Sequence, residues 1–206
     1  MPLTIAEFEQ GVAHFRRRPN WDRDFHNAFY KQMAAANPLG NFNDAWWKPF
    51  LHVLNQWQAS RNCAGDVFLT QRVQERFAAL SAAWWNAVEP NLAGDISTVK
   101  WSNIAAFPKL VAEIKNVDSP VFTSKFCHFL APRIFPLEDN GAMGLPYETY
   151  QDCFLGYQSE WKTTTVHGVR EELVSRLADL IGSTPTQGYP FKNKVIELCL
   201  IGRHHG

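Results

Sequence analysis

The chain has 206 residues, 46% hydrophobic and 19% charged, with twenty basic and twenty acidic side chains and a net charge of zero. That composition excludes a disordered chain and weighs against a protein that coats nucleic acid, but it leaves room for an enzyme with a local basic face. No apolar run reaches the roughly 18 to 20 residues of a membrane span, and the opening MPLTIAEFEQGVAHFRRR has no basic leader before an apolar block, so a cytoplasmic protein is expected.

Helical spacing dominates from the first residues. Thr4 and Glu7 form a T-x-x-E capping box, and Ile5, Phe8, Val12 and Phe15 follow at steps of three and four. The run Arg16-Arg17-Arg18 reads as a solvated face of this first helix. A second helix is expected from about Asp22 to Ala36, ended by Asn37-Pro-Leu-Gly40. A third begins at Asn43 or Asp44 and presents Trp47, Phe50, Leu54 and Trp57, with Pro49 in its first turns. After a turn over Arg61–Asp66, the positions Leu69, Val73, Phe77, Leu80, Trp84 and Val88 make the longest apolar stripe in the chain. Pro90 to Gly94 ends it and marks a possible seam.

A further helix carries Ile104, Phe107, Val111 and Ile114, and Asn116-Val-Asp118 ends it. Ser119 as cap and Pro120 as first helical residue open the next. Helices then follow from Pro146, with Tyr150, Phe154 and Tyr157 inward, and along Val166, Val169, Leu173, Leu177 and Leu180. A last one starts at Tyr189-Pro190, with the apolar block Val195 to Ile201. Period-two alternation is absent, so no strand is expected. The expected fold is a single all-α domain over residues 1–206, eight or nine helices in two lobes with a seam near 90–100. Cys63, Cys127, Cys153 and Cys199 form no C-x-x-C pair and no zinc spacing with histidine. Buried free thiols are expected, with no metal and no cofactor. In each pair, Trp46-Trp47 and Trp84-Trp85, both rings cannot share one helix face, so one of the two should be half-exposed.

Between Ser119 and Gly144 lie the residues that suggest chemistry. Phe122, Phe126 and Phe129 share one face of a helix, and Lys125 and His128 lie on an adjacent strip. If Lys125 is desolvated in a cleft, its ammonium form is disfavoured and the neutral amine can attack carbon. Asp139, after a proline-bounded turn, could hold the positive charge that develops. The alternative is a surface lysine and a carboxylate that caps a loop. Thr123-Ser124-Lys125, the helix Phe126 to Leu130 and Phe135-Pro-Leu-Glu-Asp139 resemble the lysine–aspartate core of the helix-hairpin-helix DNA glycosylase superfamily, in its 8-oxoguanine DNA glycosylase branch. The likeness spans Trp101 to Leu145, with the Lys115–Pro120 segment where the hairpin would stand.

The resemblance implies a two-lobed all-α enzyme that takes a modified base out of DNA. Lys125 would be the nucleophile and Asp139 its electrostatic partner. His128, Glu138, Asn140, Trp161 and Trp85 would contact the substrate, and Lys109, Lys115 and Arg133 the DNA backbone. Repair and defence against modified viral DNA are both consistent with such an activity. The neutral charge and the glycine-free Lys115–Pro120 stretch suit a second reading, a non-catalytic all-α binding or assembly module with an aromatic-rich interface.

Overall fold

The computed structural model describes residues 1–59, 65–115, 119–144 and 147–206, with the backbone alone for 65 and 66. The expected turn over 61–66, Cys63, the centre of the 115–120 hairpin and the Pro146 helix start therefore fall wholly or partly outside the described residues. The described residues are all helical or irregular, without a strand. Twelve α-helical segments occur among them: α1 Ile5–Arg17, α2 Asn27–Ala36, α3 Asp44–Gln56, α4 Gly65–Gln74, α5 Phe77–Ala83, α6 Trp101–Ile104, α7 Ala106–Ala112, α8 Pro120–Leu130, α9 Asn140–Met143, α10 Tyr150–Thr163, α11 Val169–Ile181 and α12 Phe191–His205. That exceeds the expected eight or nine because two long stripes are each cut and Asn140–Met143 forms a further short helix. The Leu69–Val88 stripe bends at Arg76 (φ −110°, ψ 1°) and widens into a π-helical turn at Trp84–Val88, while Trp101–Ala112 breaks at Ala105. Apolar periodicity reports which face is buried, and that face survives a bend.

Local signals account for most helix ends. Thr4 and Glu7 close the capping box on α1, Asn43 accepts from the Trp46 amide, and Ser119 accepts from the Phe122 amide, each satisfying a backbone donor that has no partner inside the helix. Pro49 lies in the second turn of α3, within its first turns as expected. Helix α10 starts at Tyr150 under a second box, Thr149 with Asp152. α2 begins later than its pattern suggests, because Phe25 and His26 sit at φ 54° and 67° and turn the chain into it.

Helices α1 and α12 pack backbone against backbone. A Cβ on Gly11 would overlap the Leu198 carbonyl, and one on Gly202 the Glu7 carbonyl. Arg203 locks the crossing with hydrogen bonds to Glu7 (2.7 Å) and Glu160 (2.9 Å). A second layer is aromatic. Trp46, Trp47, Phe50 and Phe107 surround Phe126 of α8 with ring centroids 5.0 to 6.5 Å apart, the tilted and edge-on spacing that aromatic quadrupoles favour. Helix α8 is consequently buried at every position from Phe122 to Leu130, polar residues included. Both Trp46 and Trp47 are buried, whereas Trp85 is 49% exposed beside buried Trp84. The half-exposed member expected in each pair occurs only in the second, because α3 is covered on two sides.

Candidate functional site

Lys125 projects from the middle of α8 and is only 7% exposed. Its Nζ donates to the Trp57 carbonyl at 2.7 Å. Trp57 is the C-terminal cap of α3, where unsatisfied carbonyls carry the negative end of the helix dipole, so a cationic ammonium is favoured there. The Trp57 ring is wedged among His26, Phe29 and Phe129, which fixes the carbonyl in place.

The preceding residue ties α8 to the returning chain. The Ser124 hydroxyl donates to the Val121 carbonyl (3.0 Å) and accepts from the Glu138 amide (3.1 Å). Glu138 is fully buried, so the 131–138 segment runs back along α8 with its carboxyl-bearing residue inside. Asp139 follows at once and caps α9, its Oδ1 accepting from the Ala142 amide at 3.1 Å. The Asn140-Gly141 pair forms the first turn of that short helix. The Asp139 carboxylate also lies near enough to Glu197 to help raise the pKa of that buried group, whose main cause is desolvation. Among the described residues no ion pair within 4.0 Å joins Lys125 to Asp139.

His128 is enclosed. Its Nδ1 bonds the Phe135 carbonyl at 2.6 Å and its Nε2 the Tyr30 hydroxyl at 2.8 Å. A carbonyl only accepts, so Nδ1 carries the hydrogen and Nε2 accepts from Tyr30. Burial holds its pKa down to about 3, partly opposed by the Phe135 hydrogen bond, so the ring is neutral at neutral pH. Trp161 is buried at 6% exposure, with Arg170 and Lys192 over its ring at 5.7 and 5.6 Å. Lys109 and Asn140 are exposed. Lys115 donates to the Ala59 carbonyl at 3.1 Å and lies over Phe122. Arg133 is half-buried and donates to the Ala93 carbonyl at 3.4 Å.

One buried constellation has no counterpart in the sequence reading. Lys194, fully buried in α12, pairs with Glu197 at 2.7 Å and reaches His26 Nδ1 at 3.4 Å. Asn193 beside it donates to the Pro132, Arg133 and Phe135 carbonyls, pinning the 131–135 turn that follows α8. A lysine and a glutamate three apart, flanking and interrupting an otherwise apolar block, were the available signal. Among the described residues no group of three or more His, Cys, Asp or Glu is arranged to hold a metal ion. Among the described residues no helix is long and apolar enough to cross a membrane. No protein-family profile, no curated protein and no solved structure matches this chain.

Proposed function

We propose that this chain is a lysine-dependent DNA glycosylase of the helix-hairpin-helix type, excising a modified base in repair or in defence against modified viral DNA. One observation carries the reading: a buried lysine amine on a Ser-Pro-initiated helix, stapled through Ser124 to the segment that ends in the helix-capping Asp139. The target nucleotide leaves the stack and enters the site. Lys125 exchanges its hydrogen bond with Trp57 for the substrate, releases its proton to solvent, and as the neutral amine attacks the sugar C1′. The bond from C1′ to the base breaks and the base departs with a proton. The sugar ring opens to leave a Schiff base on Nζ, which water hydrolyses or which passes through β-elimination. Asp139 stabilises the cationic sugar as it forms, the charge complementarity that supplies most of such a barrier reduction.

Duplexes carrying 8-oxoguanine or another modified base, incubated with the protein and sodium borohydride, should yield a covalent protein–DNA adduct. Lys125→Ala should abolish it, and Asp139→Asn should slow base release about a hundredfold or more. Trapping that persists in Lys125→Ala would overturn the assignment. A non-catalytic binding module is the second reading, and one observation favours it: Trp85, 49% exposed, packs against Gly40, whose chain neighbour Leu39 is 68% exposed. On that reading no modified duplex gives an adduct.

A further inference from the structure

A groove away from Lys125 has the shape and charge of a ligand site. It consists of two adjoining clefts, of about 290 and 390 Å³, that share Arg133, Thr186 and Gly188. Together they fall in the range of small-molecule pockets, roughly 300–1,000 Å³. The first cleft is apolar, walled by Tyr30 and Met33 of α2 and by Phe129, Leu130 and Ile134. The Tyr30 ring is held rigid, because its hydroxyl is committed inward to His128. The second cleft is charged, with Arg133, Lys192 and Asp95 in its wall. Lys192 is bonded to Asp95 (2.7 Å) and Ser97 (2.8 Å), so that cation is neutralised and fixed. Arg133 stands at the junction, and among the described residues its guanidinium makes one long hydrogen bond, to Ala93. Four of its five donors are thus left over for an anion. The surplus charge of the groove is positive and sits where the apolar arm ends.

We propose that this groove binds a free small molecule of mononucleotide type, its planar heteroaromatic body between Tyr30, Met33 and Phe129 and its phosphate on Arg133. The fit is one of two halves: an apolar cleft with Gln187 in its lining for a base edge, and a fork-shaped donor that suits a phosphate. The proposal does not rest on the glycosylase reading. Neither Lys125 nor Asp139 lines the groove.

Isothermal titration with purine and pyrimidine nucleoside 5′-monophosphates, beside nucleosides and inorganic phosphate, tests it. Saturable binding in the micromolar to sub-millimolar range is expected for at least one nucleotide, with nucleosides and phosphate each at least tenfold weaker. Arg133→Ala should weaken binding about tenfold to a hundredfold. Ala34→Trp, at an exposed α2 position on the edge of the apolar cleft, should block it while circular dichroism and melting stay unchanged. No saturable binding up to millimolar concentration, equal affinity for inorganic phosphate, or affinity unaffected by both substitutions would overturn the proposal. Loss of borohydride trapping with groove binding intact would count against the glycosylase reading alone.

Discussion

Two buried lysines illustrate how differently the same side chain can be accommodated. Lys125 is held by a helix-terminal carbonyl, whereas Lys194 is held by a carboxylate and two aromatic faces, Phe15 at 5.6 Å and Tyr30 at 5.8 Å. Taking away Glu197 would strand a desolvated ammonium, a cost of about 3–5 kcal/mol. Glu197→Ala should therefore lower the melting temperature by at least about 6 °C, and Lys194→Met with Glu197→Leu should recover most of the loss; a double variant as unstable as the single one would contradict the pairing. Histidines set the pH response. Burial depresses the folded-state pKa of both His26 and His128, the latter from 6.5 to about 3, with Lys194 lowering each further. A neutral buried histidine contributes stability that is complete above its unfolded pKa and is lost as pH falls from 6.5 towards the folded value. Glu197 titrates oppositely, since its raised pKa means that acid relieves its burial. Urea unfolding should show stability falling between pH 7 and 5, with a shallower slope in His128→Gln. Nothing in the sequence hints at the enclosure of His128 or Lys194, because burial is a property of what packs over a residue. Neither its own type nor its spacing encodes that cover.

At the level of elements, caps were the most legible feature. Thr4-x-x-Glu7, Asn43 and Ser119-Pro120 start helices where their chemistry says they should, since each local side chain supplies the acceptor for an orphan amide. Thr149-x-x-Asp152 makes the same reciprocal bonds three residues past Pro146, whose own helix-opening signal masks it in the sequence. Thr149→Ala should cost about 1 kcal/mol, measured by thermal or urea unfolding. The bend at Arg76 and the π turn at Trp84–Val88 were illegible, because tertiary packing imposes them on a stripe whose spacing is also compatible with one straight helix. The close approach of α1 and α12 was equally hidden: two glycines 191 positions apart carry no shared local pattern. Gly11→Ala places a methyl on the Leu198 carbonyl, and Gly202→Ala one on that of Glu7. Each should destabilise by about 1–3 kcal/mol or more. Gly182→Ala is strained by its φ of 68° but meets nothing in space, so it separates backbone strain from overlap. Equal losses at all three positions would remove the case for a contact-driven crossing.

For the whole molecule, the absence of strand patterning was enough to indicate an all-α chain, and the described residues are all-α. Position relative to the fold was much less legible. Helix α8 and the Glu138–Asp139 segment are joined by one serine hydroxyl, a contact between two stretches whose sequences state no distance. The central claim is that Lys125 is the residue that bonds to DNA. Peptide mapping of the borohydride-reduced adduct by mass spectrometry tests it most directly. The account predicts a sugar remnant on Lys125 in the peptide from α8. A remnant on Lys115, Lys109 or the N-terminal amine, with Lys125 unmodified, would contradict it.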